Sequence, residues 1–382
     1  MKQYQPLLER LSTLTPQEKS FRNFFFSDKT PQDYEMLYHA AGITDFPQFP
    51  QSEQDILHML HQHMQQDSSP IRQLKQRRIL LTPYPRYFPA IPHSHDCCVL
   101  FYVLKGRCFH HIRGHLLPMT EGMFCFVAPH SEHALEVNSD DCIVINFYIP
   151  TNRFYAMFME QLHQVNPVSR FFTEILFSGQ NHAHHLLFDT KKDPFLKKQI
   201  LSMLEEQQIQ DNYSSAMLLH MLNIFFIHLL RNYADTSIME NEAPIDNTTL
   251  DMIFYIHKNL QSISLPKLST HYGYSEAHCS RRLKQATGQT YVELVRSIRI
   301  KQAASLLSDT DLSITDIGFS VGYETSETFI RAFKKELGIT PSQFRSQSLT
   351  SSDLVQTSNI ICPATLANSF SSIPPATVQP HL

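Results

Sequence analysis

The stretch SITDIGFSVGYETSETFIRAFKKELGITPSQFR, residues 313–345, decides the fold of the C-terminal part of the chain. A short apolar segment ends at Gly322-Tyr323, and a longer amphipathic segment starts after Thr325. Glycine turns a chain through positive φ without steric cost, and a threonine side chain can cap the open N–H groups of a helix. The stretch therefore predicts a helix-turn-helix.

The same pattern occurs about fifty residues earlier, in LPKLSTHYGYSEAHCSRRLKQATG, residues 265–288. There the turn is Gly273-Tyr274, and Ser275 is the predicted cap of the second helix. A shift of 50 places Arg281 on Arg331. The two stretches form an internal repeat, which predicts two helix-turn-helix units.

Helical spacing assigns the faces of the second helix in each unit. Phe329, Phe333 and Leu337 recur every four residues and are expected in the core, which turns Arg331 outward. An exposed arginine among short polar residues can reach base edges in a major groove of DNA. The alternative interpretation is an ordinary helical bundle whose charged face is solvated. Because both copies of the repeat have an arginine at the matched position, we favour a DNA-binding surface. The predicted contacts are Ala277, His278, Ser280, Arg281, Lys284, Ser326, Glu327, Thr328, Arg331, Lys334 and Lys335.

Residues 250–345 resemble the DNA-binding domain of AraC/XylS-type bacterial transcription regulators. The resemblance rests on Ile298-Arg299-Ile300, on Val321-Gly322-Tyr323 and on Gly338-Ile339-Thr340-Pro341 with their flanking residues. Cys279 and Leu283 depart from the family, which usually has a larger aliphatic and an aromatic residue there. The resemblance implies two reading helices about one DNA turn apart, an activator, and contact with RNA polymerase.

Charge and cysteine usage agree with that reading. The whole chain of 382 residues has a formal charge of −4. Residues 249–345 hold 12 Lys+Arg and 9 Asp+Glu, so this part is +3 and the remainder −7. Seven cysteines without zinc or disulfide spacing indicate a reducing compartment, and the N-terminus has no signal-peptide pattern. We expect a cytoplasmic protein without a membrane span.

Residues 76–150 alternate short apolar runs with turn signals, which predicts a β-barrel or sandwich. His93-x-His95, Gly106, Gly122, Pro129 and His133 resemble the cupin-like sensor barrel of many such regulators. A cupin metal site normally adds a glutamate where this chain has Val99, so we expect neither a metal nor another cofactor. The expected effector pocket is His93, His95, Tyr102 and His133, although these residues could simply satisfy one another. A thiol sensor built from the barrel cysteines is a weaker alternative, since cysteine is commonly a buried filler.

The remaining segments complete an α+β organisation. Residues 1–75 read as a partly helical extension, 151–233 as a helical segment, 234–248 as a linker, 249–346 as the DNA-binding domain and 347–382 as a disordered tail. Helices are predicted at 193–208 and 214–233, and the apolar stripe of the second is expected to make a homodimer or to pack within the chain. His182, His184 and His185 are predicted in a polar loop.

The sequence thus predicts a transcription regulator with an N-terminal, cupin-like sensing and dimerising half and a C-terminal all-α half that binds double-stranded DNA. No catalytic residue is predicted. Two alternatives stay open: a cupin-type metalloenzyme with an accessory DNA-binding domain, and a constitutive regulator without an effector.

Overall fold

The computed structural model describes residues 2–41, 79–112, 114–151, 154–155, 157, 166–177, 185–209, 211, 213–239 and 245–349. Residues 42–75 of the expected extension, His182, His184 and residues 350–382 of the expected tail lie outside these residues. Residues 347–349, which were expected in that tail, belong instead to the last helix, Pro341–Leu349.

Three helices form the N-terminal part: α1 (Gln5–Ser12), α2 (Pro16–Phe26) and α3 (Pro31–Ala41). Helix α2 begins with a capping box, in which Thr15 and Glu18 bond each other's backbone N–H groups. Glu18 also forms a buried ion pair with Arg86, with Nε 2.9 Å from Oε1. The Arg86 guanidinium further donates to the carbonyls of Ser12, Thr13 and Asp140. This contact joins the helical extension to the β-domain.

The β-domain consists of two antiparallel sheets. Its strands are β1 (Leu80–Pro83), β2 (Cys98–Lys105), β3 (Arg107–Ile112), β4 (His115–Thr120), β5 (Met123–Val127), β6 (His133–Glu136), β7 (Ile143–Ile149), β8 (His185–Asp189) and β9 (Ile238–Met239). One sheet has the order β1-β7-β2-β5-β8-β9 and the other β4-β3-β6. Successive residues of β2 face opposite sides, as strand geometry requires. Val99, Phe101 and Val103 enter the core between the sheets, whereas Tyr102 and Leu104 enter the core beneath the helices.

Three expectations for the middle of the chain are wrong. Residues 151–233 are not wholly helical, because after helix α4 (Pro167–Phe177) the chain adds β8 to the large sheet. His185, expected in a polar loop, is the first residue of that strand and is buried. The expected linker also contains β9, which pairs with β8. Strand pairing overrides local polarity here, since β8 pairs with β5 and β9 extends the same sheet beyond β8.

Helices α5 (Pro194–Ile209) and α6 (Ser214–Tyr233) cover the large sheet. Helix α6 has 20 residues and is long and apolar enough to cross a membrane, by length and composition only. One face of this helix packs on the large sheet, where the Phe225 ring lies against Phe124 and Phe147. Leu222 and Phe225 are fully buried, which places the middle of the predicted dimer stripe inside the chain.

The C-terminal part is all-α. Its helices are α7 (Asn247–Lys258), α8 (Leu265–Tyr272), α9 (Glu276–Thr287), α10 (Tyr291–Asp309), α11 (Ile314–Ser320), α12 (Ser326–Leu337) and α13 (Pro341–Leu349). Gly273 and Gly322 have φ of 68° and 96°, as the two turns predict. Ser275 accepts from the His278 N–H and Thr325 from the Thr328 N–H, so both predicted caps form.

The second helix of each unit packs through the residues that the repeat equates. Cys279 and Leu283 of α9 and Phe329 and Phe333 of α12 are fully buried. Leu337 was expected in the core and is 42% exposed, because it lies in the last turn before the Gly338 cap, beyond the end of the apolar contact. The first unit shares one continuous hydrophobic core with the β-domain, whereas the second has its own.

Helix α10 joins the two units and also contacts the sensor half. The carbonyls of Leu176 and Phe177, at the end of α4, accept hydrogen bonds from Lys301 Nζ and from Gln289 Nε2. The last carbonyls of a helix have no partner within it, so these side chains cap α4 from the other half. The Tyr155 hydroxyl donates to the carbonyl of Ile298 at 3.4 Å.

Candidate nucleic-acid interface and histidine pocket

The predicted reading surface lies on α9 and α12. Ala277, Arg281 and Lys284 are exposed on α9, where His278 and Ser280 are partly buried. On α12, Ser326 is partly buried and the exposed residues are Glu327, Thr328, Arg331, Lys334 and Lys335. Each helix therefore presents a polar face with one central arginine, while its apolar face packs inward.

The arginines of this half fall into two groups. Four are engaged: Arg282 with Asp246, Arg296 with Glu336, Arg299 with the carbonyl of Leu260, and Arg345 with the carbonyl of Leu312. Arg281 and Arg331, by contrast, make no hydrogen bond or ion pair within the described part of the chain. Burying or pairing a guanidinium holds helices together, whereas an unengaged one on a helix face has all its donors available to an external acceptor.

The positions of Arg281 and Arg331 match through the repeat. Each lies two residues after the first fully buried position of its helix, Cys279 or Phe329. Each helix ends at a left-handed glycine, Gly288 or Gly338, whose N–H bonds the carbonyl of Lys284 or Lys334. The same local geometry thus presents two equivalent guanidinium groups on one domain.

The β-domain brings together the three histidines of the predicted effector pocket. His93 and His133 form a reciprocal pair in which each backbone N–H bonds the other's carbonyl at 2.9 Å. Their ring centroids lie 4.6 Å apart, and the His95 ring is 4.8 Å from His93 and 5.4 Å from His133. The side chains of His93 and His133 are buried and that of His95 is partly exposed. The sequence predicted this meeting of three imidazoles.

Tyr102 does not belong to this pocket. Its neighbour Phe101 faces the histidines, with its ring 5.3 Å from His133, so Tyr102 points to the opposite side of β2. There it packs near Phe124, and burial raises the pKa of its hydroxyl well above the usual value. The assignment of Tyr102 to the effector pocket is therefore wrong, and strand alternation is the reason.

The sequence reasoning missed His110, which lies beside the pocket. Its ring centroid is 5.6 Å from that of His133 and 5.2 Å from Phe101. Burial, with a smaller contribution from His185, lowers the pKa of His110 to about 3, so the ring is neutral at physiological pH. Period-2 alternation along β3 places His110 and Cys108 on one face, and this signal could have identified it.

Known protein families match the N-terminal β-domain and the C-terminal helical part separately. The AraC-like ligand binding domain matches residues 81–220, and a helix-turn-helix domain matches residues 268–347. Together the two matched parts and the RhaS relatives support a transcription regulator of the AraC/XylS type.

Individual relatives are distant. The HTH-type transcriptional activator RhaS of Escherichia coli O81 (strain ED1a) is 24% identical over 253 residues, which are 66% of this chain and 86% of RhaS. ToxT from Vibrio cholerae O395 is 15% identical over 72% of this chain and 99% of its own, with a TM-score of 0.31. The C-terminal domain of AraT from Geobacillus stearothermophilus is 32% identical over 27% of this chain and 87% of its own, with a TM-score of 0.26. TM-scores this low carry no argument about the fold.

Proposed function

We propose that the protein is a sequence-specific transcription regulator, an activator, whose C-terminal half reads two major-groove segments of double-stranded DNA. The observation that carries the proposal is the pair of unengaged arginines, Arg281 and Arg331, at equivalent positions of two reading helices. Arginine suits the O6 and N7 acceptors of guanine, which both forks of a guanidinium can bind. The activator RhaS, with 86% of its length matched, supports the sign of regulation.

The N-terminal half is the sensing half in this proposal. The histidine pocket receives a small polar effector, and the capping contacts of Lys301 and Gln289 on α4 connect the sensor to helix α10. Because α10 carries a reading unit at each end, a shift of α4 would move both units together. The protein acts in the cytoplasm, as a homodimer, on promoters that RNA polymerase transcribes.

The metalloenzyme alternative is disfavoured because Val99 stands where a cupin metal site normally has a glutamate. Val99 lies in the core between the two sheets, paired with Val127, so an apolar side chain stands where a cupin metalloenzyme normally has its carboxylate ligand. Among the described residues, we find no arrangement that favours a different function.

A genome-wide map of DNA occupancy, followed by binding measurements on the enriched sequence, tests this proposal. We expect an enriched motif with two specified segments about one helical turn apart, and transcription that rises at neighbouring promoters. Occupancy without a common motif, or equal affinity for enriched and random DNA at physiological salt, would contradict it.

A further inference from the structure

Three imidazole groups of the pocket have the arrangement of metal ligands. One ligand atom each from His93, His95 and His133 can be chosen so that all three lie within 4.8 Å of one another. Zinc–imidazole bonds are about 2.0–2.1 Å long, which puts two nitrogens of a tetrahedral site about 3.4 Å apart. The widest pair therefore has to close by at most about 1.4 Å on binding an ion, the difference between 4.8 Å and about 3.4 Å.

The tautomers of two of these histidines are set by backbone carbonyls. His93 Nδ1 lies 2.8 Å from the carbonyl of Ile91, and His133 Nδ1 lies 3.0 Å from that of Ser131. A carbonyl oxygen only accepts, so each Nδ1 carries the proton and donates it. Each Nε2 is then the unprotonated ring nitrogen, which is the atom and protonation state that a transition metal binds. A hydrogen bond from the other ring nitrogen is also the usual way in which a ligating histidine is oriented.

Backbone hydrogen bonds hold His93 and His133 beside each other without an ion. The reciprocal hydrogen bonds of His93 and His133 fix the ends of two separate segments against each other. His95 lies two residues after His93, and its ring contacts both of the others. Pre-organised ligands lose little conformational freedom on binding, which favours affinity.

The histidine that the sequence reasoning missed gives an independent indication of a ligand. His110 has both ring nitrogens buried, and neither has a hydrogen-bond partner within the described part of the chain. A buried polar group without a partner is costly, and a ligand or water held in the neighbouring pocket would give it one.

We propose that His93, His95 and His133 bind one divalent transition-metal ion, which forms part of the effector site of the regulator. This inference rests on the proposed function and names the chemistry of its sensing pocket, and it reverses our expectation that the absence of the glutamate at Val99 excludes a metal. Three neutral imidazoles suit zinc, nickel, copper or iron, and leave one coordination position open. Since no carboxylate is supplied by the protein at Val99, the bound ion keeps its full charge and attracts an anionic oxygen ligand in that position.

Titration of chelator-treated, full-length protein with Co²⁺ or Zn²⁺ alone tests the proposal. We expect one equivalent per chain, and for Co²⁺ visible absorption bands with the intensity of a four-coordinate site. His95→Gln and His133→Gln should each lower the affinity more than about tenfold. His111→Gln is the matched control, because His111 lies one residue from His110 and pairs with Glu136 on the outside. It should bind the ion like the wild type.

Two further measurements keep the outcomes distinct. His95 is partly exposed, so His95→Gln should retain the wild-type melting temperature without metal even if His133→Gln unfolds. DNA binding is measured on the same samples. Binding of less than one metal ion per chain, or metal affinity that is unchanged in His95→Gln, overturns the metal site. If the same samples bind specific DNA, the proposed function as a regulator still stands. One tightly bound ion in a protein that binds no specific DNA would overturn the proposed function instead.

Discussion

Lys301 of helix α10 donates a hydrogen bond to the carbonyl of Leu176, the next-to-last residue of helix α4. The amine also lies 4.9 Å from the centre of the Phe177 ring. Although the side chain is partly exposed overall, its amine end is enclosed, and this burial lowers the pKa of Lys301 to about 8. One lysine of the DNA-reading half thus caps a helix of the sensing half at the cost of burying a charge.

This contact predicts a pH dependence. Lysine in the unfolded chain titrates near 10.5, so between about pH 8 and 10.5 the unfolded state binds more protons than the folded state. The cost of burying the charge is fully present below pH 8 and disappears as the pH rises through that window. Stability contributed at this position should therefore increase with pH. Denaturation curves at several pH values should show a shallower rise in Lys301→Met than in the wild type. If stability rose equally steeply with pH in Lys301→Met and in the wild type, the amine of Lys301 would be solvated in the folded protein.

Arg281→Ala and Arg331→Ala should each cost about 1–3 kcal/mol of binding on the specific site. Each should relax the base preference at one place only, and the two places should lie about one helical turn apart. Arg282→Ala is the control, because Arg282 is paired with Asp246 and should leave base preference unchanged. If both changes lowered the affinity for operator and random DNA equally, the two helices would be phosphate anchors. Because Cys279 and Leu283 fill less volume than Phe329 and Phe333, we expect the smaller effect at Arg281.

Lys334 and Lys335 are exposed near the end of α12 and have no partner within the described residues. If they face phosphates, Lys334→Ala or Lys335→Ala should weaken binding to all sequences alike. The slope of log affinity against log salt should become shallower by about one unit for each lysine removed. Titrations at four or five salt concentrations measure this slope. An unchanged slope with altered base preference would place the lysine at a base edge.

Dimerisation through α6 needs different substitutions from those that the sequence suggests. Charges at Leu222 or Phe225 should unfold the protein, because both side chains are fully buried. Met217 and Ile224 are 51% and 49% exposed and lie seven residues apart, on one face of the helix. Met217→Glu and Ile224→Glu should weaken a dimer at least tenfold, since burying such a side chain contributes about 1.5–3 kcal/mol. Sedimentation of full-length protein measures this, with unchanged circular dichroism as the folding control. A wild-type monomer at tens of micromolar would end the dimer proposal.

The ion pair between Glu18 and Arg86 should be essential for the attachment of the N-terminal helices. Both side chains are only 4% exposed, and removing one partner leaves the other charge buried. Glu18→Gln should therefore cost about 3–5 kcal/mol of stability. Arg22→Ala is the matched control, because Arg22 pairs with Asp140 at the surface and its loss should cost about 0–1 kcal/mol. Urea denaturation compares the two variants, and equal midpoints would show that the extension is held by its apolar contacts alone.

The sequence by itself determined what depends on short-range pattern. The helix-turn-helix repeat, its two turn glycines, the caps Ser275 and Thr325 and the outward arginines all follow from residues fewer than about twelve apart, where helical geometry leaves few choices. The meeting of His93, His95 and His133 was also anticipated, from the resemblance to a cupin-like barrel and from the two-residue spacing of His93 and His95 on a predicted strand.

Only the tertiary structure decided what depends on contacts between distant segments. Strand β8 forms because residues 185–189 complete a sheet whose neighbour, β5, lies about sixty residues earlier. Tyr102 leaves the pocket because strand register, which the sequence did not reveal, places Phe101 inside. Leu222 and Phe225 pack within the chain because a wide apolar stripe meets a sheet and not a partner helix. The capping of Leu176 by Lys301 joins positions 125 residues apart. No local pattern encodes such pairs, because their energy depends on which surfaces the fold brings together.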